Sequence, residues 1–374
     1  MASTAIHHLY GRVIRAQFSR GEHCEPERSN VRNKIAIIYH TDLDGYGVKV
    51  VGRIYANLKG YEENDIIFIK ADYYKNKNDY KKLFIDDLIE EQIKGHENEI
   101  DEIILGDISV KSEETAEYLN ELSKTKKVIL RDHHDTATWM NKYEWAKVRE
   151  CDEKGVARSG TYWTAKELLS DEYIEKHPNL KKFIYLTDKF DTWTWSKSNP
   201  KLDDAVDLAL LFGAINEEGF DEDIYPKLLL ENEVDLFDER MNFYLKIKNI
   251  DLTRQTWAAY YSMKRGIYTY KDGDNEIPLK VAVVSTENGS IIAEKLREIF
   301  AKRHEEYDFI LNFGLNGGLA LRCSDNPKVP VNKILMQMGD GTGGGHICSA
   351  GGKLPEGAIE RGFATIFEGL KVEK

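Results

Sequence analysis

The sequence predicts an α/β fold: a mostly parallel sheet with flanking helices, followed by a smaller C-terminal α/β domain. Three observations lead there. Over the first half, short apolar runs alternate with charged, helix-periodic stretches, the pattern of repeated strand–helix–strand units. Several of those runs stop at an acid or a histidine instead of at a plain turn. A second alternation, with its own runs of Val, Ile, Leu and Phe, begins near Tyr268 and ends on a glycine-rich loop. At 374 residues the chain is long enough for two cores. The expected parcels are an extension of no assigned function over 1–33, a site-bearing domain over 34–200, a helical connector over 201–265 and a ligand-covering domain over 266–374.

The elements follow in order. Ile35-Ala36-Ile37-Ile38-Tyr39 reads as a buried strand and runs into His40-Thr41-Asp42-Leu43-Asp44-Gly45, where two acids two residues apart precede a helix from Gly45 to about Leu58. Ile66–Ile69 is a second strand, ending near Asp72-Tyr73-Tyr74. Glu102-Ile103-Ile104-Leu105-Gly106-Asp107 is a third, again closed by an acid, and residues 111–125 read as a helix facing solvent. Lys127-Val128-Ile129-Leu130-Arg131 is a fourth and delivers Asp132, His133 and His134. Parallel strands bring their carboxyl ends to one edge of the sheet, the place where open α/β sheets bind ligands. Acids capping the next helix would account for Asp107, less well for Asp44, and not for the two histidines. Successive side chains of extended backbone point to opposite sides, so His133 and His134 are expected to serve different partners.

Further along, Gly155-Val156-Ala157-Arg158-Ser159-Gly160-Thr161 precedes a helix starting near Tyr162. Such a loop either binds an anion through its amides, with Arg158 and Ser159 as substrate contacts, or simply caps the helix. Phe183 to Trp193 brings Asp188 and Asp191 beside aromatic residues, of which Trp193 and Trp195 read as packing. Leu202 to Ser262 is helical in pattern. Beyond it, strand-like runs at Leu279–Val284, Phe309–Phe313 and Leu319–Cys323 alternate with helical patterns at Ser290–Phe300 and Val331–Met338. The loop Gly339-Asp340-Gly341-Thr342-Gly343-Gly344-Gly345-His346 meets GxGxxG in letter only, since it follows a helix and not a strand. With Arg322 in a neighbouring strand it suits close backbone approach to a phosphate or a base.

The formal net charge of −12 argues against coating long nucleic acid, which needs a basic face to release counterions. A nucleotide substrate should therefore be short, with no long duplex bound. Four scattered cysteines without a CxxC pair point to reduced thiols and a cytoplasmic setting. No apolar run reaches the length of a membrane span, so no membrane partner is expected. A homodimer is left open.

The candidate ligand set is His40, Asp42, Asp44, Asp107, Asp132, His133, His134 and Asp191. Four or more carboxylates in one groove repel unless cations neutralise them. Two divalent ions would do so. Mixed carboxylate and imidazole ligation suits Mn2+, with Mg2+, Co2+ or Fe2+ as alternatives, and disfavours structural zinc. Asp107 is the expected bridge between the ions. Ions roughly 3.5–4 Å apart hold an activated water and stabilise charge on a phosphoryl centre, which predicts hydrolysis of a phosphate ester or anhydride.

These residues resemble the motifs of the DHH phosphoesterase superfamily. HTDLDG at 40–45 looks like its first motif, Asp107 in ILGD its second, Asp132-His133-His134 its third and Asp191 in FDTW its fourth. RCSD at 322–325 and GGGH at 343–346 resemble its associated substrate-binding domain. The resemblance runs from about residue 34 to the end. It implies a manganese-dependent enzyme of two domains, the first holding metals through Asp42, Asp44, Asp107, His133 and Asp191. By the same resemblance His134 meets the scissile phosphate, and Arg322, Ser324, Gly343, Gly344, Gly345 and His346 grip the substrate. Asp132 is a ligand or the partner that orients a histidine. His40 departs from several branches, standing two residues before the first aspartate instead of four; Asp188 is the fallback for Asp191.

Within the superfamily, the HTDLDG, DHHDT and FDTWTW contexts look most like nanoRNase-type oligoribonucleases, which trim very short single-stranded oligonucleotides to mononucleotides. The alternatives are a phosphodiesterase of cyclic or linear dinucleotides, a 3′-phosphoadenosine 5′-phosphate phosphatase and an inactive nucleic-acid-binding scaffold.

Overall fold

The computed structural model describes residues 33–73, 84–195, 204–286, 289–314, 318–324, 326–338, 344–345 and 347–353. The expected extension over 1–33 therefore lies outside the described residues, save for Asn33.

The first lobe is built on β1 (Lys34–His40), α1 (Leu43–Leu58), β2 (Ile66–Ala71), α2 (Ile85–Gln92), β3 (Ile100–Gly106), α3 (Glu113–Leu122), β4 (Lys127–Asp132) and β5 (Ala146–Val148). The strands pair in the order β2-β1-β3-β4-β5, all parallel. Their period-2 alternation feeds two cores. Ile35, Ile37 and Tyr39 of β1 face one layer, and Ala36 and Ile38 the other. Both faces are covered, which is why these strands read as nearly unbroken apolar runs. The order reverses between β1 and β3, so the chain leaves β1 for one side of the sheet and returns on the other. That switch point opens a crevice at the carboxyl edge.

The first face is covered by α1 and by α4 (Gly160–Leu168), α5 (Asp171–Lys176) and α6 (Pro178–Asp191). The chain continues through α7 (Asp204–Asp223), α8 (Tyr225–Leu228) and the 24-residue α9 (Glu239–Ser262). α7 is broken at Asn216, whose backbone (φ 56°, ψ −171°) leaves the helix. Its side-chain oxygen accepts hydrogen bonds from the amides of Glu218 and Gly219, so it caps the second half.

The second lobe contains β6 (Lys264–Asp272), β7 (Asn275–Val284), α10 (Gly289–Arg303), β8 (Phe309–Phe313), β9 (Gly318–Cys323), α11 (Val331–Met338), β10 (Gly344–Gly345) and β11 (Ser349–Lys353). Its sheet runs β10-β11-β9-β8-β7-β6, mixed, with β7 and β8 its parallel pair. β6, β10 and β11 were not expected from the sequence. β6 is an edge strand exposed along most of its length, so its residues (KRGIYTYKD) carry no apolar face to betray it. Among the described residues no helix is long and apolar enough to cross a membrane.

Candidate metal centre

Each candidate acid arrives by a local device. Asp42 caps α1, its carboxylate accepting from the Gly45 amide at 3.0 Å. Gly45 is required there, since a Cβ would lie 2.2 Å from the His40 carbonyl oxygen. Asp44 sits inside the first turn of α1 and is 2% exposed. Asp107 follows β3 in the left-handed region at φ 57°, a conformation that costs an aspartate roughly 1–3 kcal/mol and collects at functional sites. It caps nothing; the cap of α3 is Ser112. Asp191 ends α6 and so enters from a helix, not from the sheet.

These elements converge. His133 Nε2 lies 3.1 Å from Asp107 Oδ1, 3.4 Å from Asp191 Oδ2 and 3.7 Å from Asp44 Oδ2. His40 Nδ1 is 2.9 Å from Asp42 Oδ2 and 3.7 Å from Asp107 Oδ2. Asp44, His133 and Asp191 make one group with ligand atoms within 4.8 Å of one another, His40, Asp42 and Asp107 a second, and Asp107, Asp132, His133 and His134 a third. Asp107 is shared between two of these groups. Its Oδ2 is buried with no hydrogen-bond partner among the described residues. Burial first, then the charges of Asp44, Asp42, Asp191 and Asp132, push the Asp107 carboxyl well above its ordinary range. A buried oxygen without a donor, among mutually repelling carboxylates and neutral-capable imidazoles, fits a divalent cation.

Asp132 has a different task. It is fully buried, and its Oδ1 accepts from the amide of His133 at 2.7 Å and lies 2.8 Å from His134 Nδ1. Its other oxygen accepts from Ser109 Oγ at 2.5 Å. Burial alone would raise this carboxyl; His134, His133 and Ser109 instead hold it well below the usual range. Asp132 therefore orients His134 through one ring nitrogen. His40 is moved the other way: burial would lower it, but Asp42, Asp72 and Asp132 raise it to about 9.

Three expectations are corrected. His133 and His134 do not point to opposite sides: β4 ends at Asp132, the strand alternation stops there, and the two rings lie 4.4 Å apart. The loop before α4 does bind an anion through its amides, but the anion is the protein's own Asp44. Gly160 N and Thr161 N donate to its two oxygens at 2.7 and 3.0 Å, and Thr161 Oγ1 donates to its carbonyl at 2.6 Å. Ser159 is fully buried and its hydroxyl caps α4, while Arg158 is paired with Asp188 at 2.9 Å and Asp152 at 3.0 Å; neither is positioned as a substrate contact. Asp188 thus braces that loop, its other oxygen taking the Ser159 amide at 2.8 Å, and it belongs to none of the three ligand groups.

The second lobe reaches the same edge. The Arg322 guanidinium lies 4.9 Å above the Trp193 ring, and burial pulls it down to about 10 against the opposing pull of Glu294 and Asp191. Trp193 is more than packing: its indole N–H donates to Glu294 of α10 at 2.9 Å, tying the two lobes beside Asp191. Gly344 sits against Thr136, two residues past His134. Gly345 follows it in β10, Ser324 is exposed at the end of β9, and Gly343 and His346 lie outside the described residues. Trp195 is buried, as expected of packing. Asp72, 4.0 Å from His40 Nε2, and Tyr73, edge-on to His134, are site residues the sequence reading did not single out. Asp72 carries the same signal as the others, an apolar run ending in an acid.

No protein-family model matches the chain. Oligoribonuclease NrnB of Bacillus subtilis (strain 168) is 27% identical over 226 residues, which are 58% of this chain and 53% of that protein. The chain thus matches about half the length of this curated relative. A solved DHH domain, from a member of a family of ribosomal proteins, superposes with a TM-score of 0.54 at 15% identity, covering 91% of this chain and 88% of that one. The chain therefore has the fold of a DHH domain. The four sequence motifs occupy the β1, β3 and β4 ends and the end of α6.

Proposed function

We propose that this chain is a DHH-type, divalent-metal-dependent phosphodiesterase that hydrolyses short single-stranded oligonucleotides to mononucleotides, with Mn2+ as its working ion. The observation that carries the reading is the convergence on His133 Nε2 of Asp44, Asp107 and Asp191 from three separate elements, all within 3.7 Å. Asp44, His133 and Asp191 would hold one ion and His40 and Asp42 the other, with Asp107 between them. Bound there, the ions would supply an activated water and neutralise charge on the phosphoryl group.

The chain's own residues do the rest. Asp132 fixes His134 through Nδ1, which leaves Nε2 as the ring nitrogen to meet a phosphate oxygen. Arg322 brings a positive charge from the other lobe, held over the Trp193 ring. The glycines of β10, close to Thr136, allow backbone approach to the sugar–phosphate chain. A net charge of −12 suits a substrate gripped at a few phosphates. The resemblance to nanoRNase-type enzymes and the name of the Bacillus relative point the same way.

The test is one panel: purified protein with Mn2+, Mg2+, Co2+ or chelator, given labelled RNA and DNA of two to six nucleotides, a long duplex, cyclic dinucleotides and 3′-phosphoadenosine 5′-phosphate. Mononucleotides from the short RNAs, strongest with Mn2+ and lost with chelator, are expected. Preferential attack on the duplex, or hydrolysis of nothing with any ion, would overturn the proposal.

A further inference from the structure

α9 has two apolar faces. Met241, Leu245, Leu252 and Ala259 are buried against α7, α10 and β7. Phe243, Ile247, Ile250, Trp257 and Tyr261 are 61, 50, 65, 41 and 75% exposed. At about 3.6 residues per turn this second set lies on the side of the helix opposite the first. An ordinary surface helix is polar there.

We infer that the outer face of α9 pairs with the same face of a second copy of this chain, the two helices running antiparallel. With Arg254 included, the stripe advances in steps of four and three residues, the spacing of a coiled-coil seam. Aromatic and branched side chains of roughly 150–250 Å2, exposed to this degree, present on the order of 500 Å2 of apolar surface per chain. That is the centre of the roughly 800 Å2 per partner that a specific interface buries, and it is at the upper end of what monomers leave bare.

The stripe is also complementary to itself about a two-fold axis near Leu252, as an isologous contact demands. Phe243 comes opposite the second copy's Tyr261, Ile247 opposite its Trp257, and Ile250 opposite its Arg254. Trp257 and Tyr261 are already stacked, their planes 26° apart, so they form a ready slab. The charges that meet at the axis are balanced, because Arg254 and Asp251 form a pair at 2.8 Å within each chain. Both copies contribute one of each sign.

Light scattering and sedimentation of the full chain at micromolar concentration should give twice the monomer mass. Ile250→Asp and Trp257→Asp should each halve it while circular dichroism stays unchanged, since neither side chain enters the core. Thr253→Cys, beside the axis, should form a disulfide with its own counterpart, identified by mass spectrometry of the linked peptide. Phe243→Cys should not, its two copies lying about 27 Å apart along antiparallel helices. A wild-type monomer, a dimer indifferent to both aspartates, or the reverse cross-linking result would overturn the inference. So would a monomer whose α9 face is shielded from surface labelling.

Discussion

Two groups of acids meet the same end of β1, and they are handled in opposite ways. Around Lys49, Glu217 takes hydrogen bonds from Lys49 at 2.7 Å, Tyr39 at 2.7 Å and Lys70 at 2.9 Å, while Asp221 takes Lys49 at 2.5 Å and Tyr46 at 2.9 Å. Burial would raise Glu217, yet these donors bring it down to about 2. One residue beyond Tyr39 begins the other cluster, where Asp42, Asp44, Asp107 and Asp191 face one another and burial with mutual repulsion drives Asp107 upward. The first group is complete as it stands and fastens α7 to the sheet. The second leaves Asp107 Oδ2 buried without a donor among the described residues, a position that suits a bound cation.

The largest effect expected from that contrast is on Asp107→Asn. Removing the shared carboxylate should lower turnover on short RNA by about a thousandfold or more, measured as initial rate with saturating Mn2+. The metal-free protein should melt no lower than the parent, because a repelling charge has gone. Turnover within tenfold of wild type would take Asp107 out of the centre. Lys49→Met probes the other cluster and should behave in reverse. Removing the ammonium that Glu217 and Asp221 share, while Tyr39, Lys70 and Tyr46 still donate to them, should cost on the order of 3 kcal/mol of unfolding free energy in denaturant, with specific activity of the folded fraction retained.

A smaller effect concerns acid. Glu217 has its folded value depressed from 4.5 to about 2, so its contribution is present above pH 4.5 and is lost as pH falls toward 2. Glu217→Gln should flatten that limb of the stability profile by roughly 2 kcal/mol after solvent screening; an unaltered acid limb would show the network to be slack. The smallest effect is expected from Arg322→Ala, which should raise the Michaelis constant about tenfold with turnover less affected, since the side chain lies over Trp193 and not among the ligand groups. An unchanged constant would detach the second lobe from binding.

Most of the sheet was legible because its strands are buried on both faces and so read as continuous apolar runs. β6 was not, since an exposed edge has no inward pattern to display. Acids at strand ends could be placed by counting: Asp107 directly follows β3, as the apolar run before it implied, whereas Asp44, expected ahead of the helix, lies in the first turn of α1. The partners of Arg158 and Ser159 could not, because Asp188 stands 29 residues from Ser159 and nothing local links them. The same holds for the rings of His133 and His134: alternation predicts direction only while the backbone stays extended.

Gly160 donates its amide to Asp44 at 2.7 Å, and a Cβ on it would come within 2.5 Å of the Asp107 Cβ. One residue without a side chain thus touches both acids and works as a calliper between them, the gap set by the width of a bare α-carbon. An added methyl at 160 would widen that gap, and its effect would register in which ions are held before it registered in whether the chain folds.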